Sequence, residues 1–114
     1  MAFSETLARR TRVVLARRKN VEEKRMFGGL GFLLNGNLLV AVRKDTLLVR
    51  LGPEEGERAL LEPHVAAFQI TGRGTMGGWV VVGLEGVESD DQLQDWIRRA
   101  ANFVTTLPAK PKQE

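Results

Sequence analysis

The dipeptide Asn35-Gly36, set between the apolar runs 30–34 and 38–42, constrains this chain more than any other feature. Both central residues of a type I′ turn need positive φ, and Asn-Gly tolerates that best. The pair predicts a tight hairpin joining a strand over residues 25–34 to a returning strand over residues 37–42. Arg43-Lys44-Asp45 makes a second short turn. Residues 46–51 form the next strand, with Leu47, Val49 and Leu51 on one face and Leu48 and Arg50 on the other. Consecutive strands with turns this short pair as an antiparallel meander, because a parallel crossover needs a dozen residues or more.

Helices flank this meander. Over residues 4–19, Phe3, Leu7, Ala8, Thr11, Val14 and Leu15 share one arc of a 3.6-residue wheel, while Arg9, Arg10, Arg12, Arg17 and Lys19 spread over the opposite one. Arg18 falls inside the apolar arc, so the last turn is expected to fray or snorkel. Residues 20–24 read as a charged connector. Gly52-Pro53-Glu54-Glu55 opens a short second helix, with Pro at a position that needs no N–H and acids at the positive helix end. Ala59, Leu60 and Leu61 are its expected buried side, and Pro63 stops it. Residues 66–71 and 79–83 read as strands separated by a loop over 72–78.

Ser89 and Gln92 have capping-box spacing at the start of the last helix. Its apolar stripe is Leu93, Trp96, Ile97, Ala100, Phe103, Val104 and Leu107, and Pro108 ends it. The order is α-β-β-β-α-β-β-α, an α+β fold of two layers with an antiparallel-rich sheet. At 114 residues the chain is expected to be one domain, residues 1–108, followed by a polar, disordered tail over 109–114.

Reactive chemistry is sparse. The chain has no cysteine and one histidine, which excludes thiol catalysis, disulfides and cysteine–zinc sites. Residues 72–77 spell GxGxxG, but the turn joins two strands rather than a strand and a helix, so it lacks the context of a dinucleotide site. His64 follows Pro63 in what reads as a surface loop, with no Ser/His/Asp spacing around it. Glu88, Asp90, Asp91 and Asp95 fit helix capping and a solvated helix face better than a calcium loop. The expectation is no enzyme, no catalytic residue, no metal and no cofactor. A weaker alternative is a small-anion site built from Arg25, Arg43 and Arg73.

Charge is segregated along the chain. Net charge is +3, yet residues 1–25 carry +5 and residues 85–95 carry −5. Such a pattern suits head-to-tail self-association as well as nucleic acid. Arg9, Arg10, Arg12, Arg17, Lys19 and Arg25 are the candidate contacts for nucleic acid or a partner, although no aromatics interleave them for base stacking. Met26, Phe27, Gly28 and Gly29 form a second candidate, a groove or dimer contact. Glycines in a strand also mark close backbone approach, here expected under the first helix. No window is apolar enough to span a membrane and the arginines interrupt any secretory signal, so a cytoplasmic place is expected.

The run Arg25-Met26-Phe27-Gly28-Gly29-Leu30-Gly31-Phe32, followed by Asn35-Gly36-Asn37-Leu38-Leu39, resembles the TfoX/Sxy family, specifically its N-terminal domain. Residues 43–51, the Gly-Trp-Val strand and residues 90–97 are similar as well. The resemblance spans about residues 3–108 and is to that domain standing alone, without the C-terminal helical domain of the longer regulators. It implies a two-layer fold like that of secretion-chaperone-type domains. It also implies a role in competence regulation beside a transcription factor, with no catalytic residues. The leading expectation is a regulatory or protein-binding domain that pairs as a homodimer; the alternative is direct nucleic-acid binding through the basic first helix.

Overall fold

The computed structural model describes residues 3–26, 28–70 and 74–109, and for residues 70 and 74–76 the backbone alone. Phe27, Arg73 and most of the tail proposed as disordered therefore lie outside the described residues. Three helices, α1 (Glu5–Leu15), α2 (Pro53–Ala59) and α3 (Asp90–Val104), lie with six strands. The strands are β1 (Val21–Met26), β2 (Gly29–Leu34), β3 (Asn37–Arg43), β4 (Thr46–Arg50), β5 (Val65–Ile70) and β6 (Gly74–Val82). All pairings are antiparallel, in the spatial order β1-β2-β3-β4-β6-β5. The α+β class and the antiparallel sheet are as expected.

Asn35 (φ 55°) and Gly36 (φ 81°) both occupy the left-handed region, which a type I′ turn demands. In the β2–β3 pair, Phe32 faces Val40 and Leu33 faces Leu38, so Leu39 is the extra residue of a bulge. The bulge lets adjacent Leu39 and Val40 both enter the core with no exposure. Ser4 Oγ caps α1 by accepting from the Leu7 N–H at 3.1 Å. The predicted capping box of α3 is complete: Ser89 Oγ accepts from Gln92 N, and Gln92 Oε1 accepts from Ser89 N. Trp96 Nε1 donates to the Gly86 carbonyl at 3.1 Å, tying α3 to the single 3₁₀ turn (Leu84–Gly86) before it.

The element order needs one correction. The proposed connector over residues 20–24 is most of an additional strand, β1, so the sequence runs α-β-β-β-β-α-β-β-α apart from the 3₁₀ turn. Its charges concealed it, because an edge strand is kept from pairing with other chains by charged side chains. Helix α1 stops at Leu15, four residues before the predicted end, since continuing would turn Arg18 into the core. Most of the proposed loop over 72–78 is the start of β6. Leu60 and Leu61 are not the buried side of α2: the helix ends at Ala59 and they are 40% and 89% exposed.

All three helices cover one sheet face. Leu7, Leu15, Ala59, Leu93, Ile97 and Val104 meet Phe32, Val42, Leu47, Val49, Val80 and Val82 in one core. The alternate residues point the other way, where Ala41, Leu48 and Phe68 make a second buried cluster with Trp79 and Val81 against it. No helix of the described residues is long and apolar enough to cross a membrane.

Candidate interaction surfaces

The six candidate cations do not form one track. Helix α1 buries Leu7, Ala8, Thr11 and Leu15, and Thr11 meets its buried hydroxyl's needs by donating to the Leu7 carbonyl at 2.8 Å. Arg10 then points toward α3, donating to the Glu88 carbonyl at 3.0 Å and lying 3.5 Å from Asp90. Arg12 points the opposite way and grips Glu23 of β1 through two bonds of 2.6 and 2.8 Å. Arg25 stacks over the Phe3 ring at 5.7 Å. Arg9, Arg17 and Lys19 remain exposed.

The Arg12–Glu23 pair holds the Glu23 carboxyl below the usual glutamate range, chiefly through the hydrogen bonds from the guanidinium. A lowered carboxylate pKa contributes stability above the unfolded value, and that contribution disappears as pH falls through the folded value. The pair is largely solvated, so it is worth less than about 1 kcal/mol. Glu23→Gln is therefore expected to melt a little below the parent near neutrality, and the difference should close below about pH 4. Thermal melts of both proteins across that range check it; a constant difference would contradict the assignment.

The second candidate is met by the chain itself. A Cβ on Gly29 would lie 2.1 Å from the Val42 carbonyl oxygen, and one on Gly31 would lie 2.8 Å from Met26 Sδ. Strand β3 and the Met26 side chain, not the first helix, are what approach these glycines. Gly28 is exposed, with open space where a side chain would go.

The small-anion alternative does not assemble as written. Arg25 stacks on a ring of the main core, whereas Arg43 stacks at 5.2 Å on Phe68 of the opposite cluster. Its third member, Arg73, lies outside the described residues. His64 lies 3.5 Å from Glu85 and meets no hydroxyl among the described residues. No group of three or more potential metal ligands occurs among them either.

Folding also brings together what sequence reasoning treated as distant. The acidic start of α3 lies beside basic α1, so the +5 and −5 segments are neighbours on one surface rather than opposite poles. The head-to-tail argument from charge order therefore loses its basis. Between the helices runs a groove of about 800 Å³. Elsewhere, Arg50 is held between Trp79 (5.0 Å) and Phe103 (5.8 Å), and burial lowers its pKa. Arg99 packs on Trp96 at 4.3 Å and makes a forked pair with Glu62, which raises its pKa. The contacts of Arg43, Arg50 and Arg99 with rings join residues 25 to 53 positions apart, or 3 apart on α3, and only the last is visible as a local spacing.

The two sheet edges contrast sharply. β1 reads Val-Glu-Glu-Lys-Arg-Met, with four charges in six residues. β5 reads Val-Ala-Ala-Phe-Gln-Ile, with none. Leu60 and Leu61 just precede β5, and Leu84 follows Gly83, whose N–H donates to the His64 carbonyl at the strand's entry. Leu84 is 49% exposed, like Leu60 and Leu61 an open leucine close in sequence to an end of β5 or β6, and the His64–Glu85 pair sits at the same strand entry. Composition hid this, because strand order rather than strand sequence decides which strand is an edge.

The described residues thus form a helix-covered antiparallel sheet with β5 at one edge and a charged groove between α1 and α3. The sequence matches the family model described as TfoX N-terminal domain over residues 14–104, and the chain belongs to that family. Comparison with curated proteins and with solved structures finds no match.

Proposed function

We propose that this domain is a regulatory protein-binding module, resembling those competence regulators that act beside a transcription factor. In this reading it works in the cytoplasm, without catalysis and as a homodimer. The observation that carries the reading is the contrast between the two sheet edges. Charged side chains on β1 discourage strand addition, whereas β5 offers unprotected backbone donors and acceptors. A partner's extended, uncharged segment adding beside β5 would satisfy those groups, with Leu60, Leu61 and Leu84 giving it apolar contact.

Direct nucleic-acid binding through α1 is the weaker reading. Phosphate binding draws on several free cations along one track. Here Arg10 and Arg12 are each held by an acid, on different sides of the helix.

A photo-crosslinking side chain placed at Ala66, and separately at Glu22, tests the edge reading. Capture of one protein from position 66 and not from 22 is expected. The captured protein, once identified and purified, should bind Ala66→Lys at least about tenfold more weakly than the parent. Because Ala66 is exposed, the same change should move folding stability by less than about 0.5 kcal/mol. Equal capture from both positions, or unchanged binding by Ala66→Lys, would contradict the proposal.

A further inference from the structure

We infer that the α1–α3 groove is the face through which two copies of this chain pair; the inference rests on the homodimer proposed above and names its interface. The argument begins with how charge is distributed along the groove. At one end Arg10 reaches Asp90, so the acids Asp90 and Asp91 mark that end. Arg17 and Arg18 lie seven and eight residues further along the chain, just past the end of α1 at Leu15. They line the same groove at the α1 C-terminal end. Arg17, Arg18 and Asp91 are exposed and have no ion-pair partner among the described residues. Val13 stands 70% exposed on the groove wall, which Gln94 and the Asp95–Arg98 pair also line.

A surface with an unpaired acid at one end, unpaired bases at the other and an exposed valine between them is self-complementary. A two-fold axis through its middle exchanges the ends. Arg17 and Arg18 of one copy then oppose Asp90 and Asp91 of the other, twice over, and Val13 meets the second Val13 at the axis. This is the isologous geometry that closes a pair without propagating a filament. Head-to-tail stacking would leave one acidic and one basic end open. None of the residues lining the groove belongs to β5, so the pairing leaves each copy's β5 backbone for its partner strand.

Sedimentation equilibrium tests the inference with the whole chain. The parent is expected to be a dimer at micromolar concentration that loosens as salt rises, because exposed charge pairs are screened. Arg17→Glu with Arg18→Glu makes both ends acidic, and Asp90→Lys with Asp91→Lys makes both ends basic. Each double variant alone should weaken dimerisation at least about tenfold, and an equimolar mixture of the two should restore a heterodimer. That rescue also shows both variants to be folded. Val13→Glu, at a mostly exposed site, should weaken the dimer independently of the helix start that the lysines occupy. A parent dimer that survives all three variants would overturn the interface while leaving the homodimer standing. A parent that stays monomeric through submillimolar concentration would overturn both.

Discussion

Gly29→Ala is expected to destabilise the fold by about 3 kcal/mol, at the upper end of what overpacking costs. For a chain of this length that is a fall in Tm of roughly 12 °C. The cause is local and rigid. The added methyl would lie 2.1 Å from the Val42 carbonyl oxygen and 3.1 Å from the Val42 carbonyl carbon, and backbone cannot swing aside as a side-chain tip can. Relief requires β2 and β3 to separate where Leu30 pairs with Val42. Those two residues are 8% and 0% exposed, so separation opens the main core to water. Gly28→Ala is the matched control. It meets nothing within 4 Å and bears only the strain of φ +73°, about 1 kcal/mol. Urea and thermal denaturation of both variants decide the matter. A Gly29→Ala protein of parental stability that had lost self-association or partner binding would instead restore this glycine to the groove or dimer contact its sequence first suggested.

Leu48→Ala is expected to cost about 2–5 kcal/mol, the range of a leucine truncated within a packed core. The size of the effect is the informative part. Strand alternation puts Leu48 on the sheet face opposite all three helices, where a solvated side chain would lose under about 0.5 kcal/mol. Yet Leu48 is 0% exposed. It packs with Ala41 and Phe68, and Trp79 lies beside them with its ring centre 6.5 Å from that of Phe68. Phe68 falls on this face by strand alternation, two residues after Ala66, whose partner Val81 also packs against the cluster. The sheet therefore has a second, smaller core. Leu84→Ala, at 49% exposure, supplies the surface comparison in the same denaturation series.

The features legible in the sequence are those decided within a few residues. Asn35-Gly36 predicts its turn because positive φ is a property of those two residues. Ser89 and Gln92 predict their cap because both partners lie in one helical turn. The α3 stripe is legible for the same reason, and all its members from Leu93 to Val104 are buried or half-buried. What stayed hidden depends on partners far along the chain. β1 looked like a connector because its charges protect an edge, and nothing in residues 20–24 reveals that β2 will lie beside them. The second core needs β6 to insert between β4 and β5, which brings Trp79 beside Arg50 and Phe68 toward Leu48. Arg10 meets Asp90 across 80 residues, so a charge order that reads as two poles folds into one patch.

The candidate site divides along the same line. The basic helix was legible residue by residue, but its division among Asp90, Glu23 and the exposed remainder was not. The open β5 edge escaped the sequence altogether, because Val-Ala-Ala-Phe-Gln-Ile reads as an interior strand as readily as an edge.

Backbone amide exchange on the chain alone and with the protein captured through position 66 bears most directly on the binding-module account. Slowed exchange concentrated in residues 65–69, with β1 unchanged, is the predicted result. Protection confined to β1 or to α1, with the β5 amides exchanging as freely as before, would contradict it.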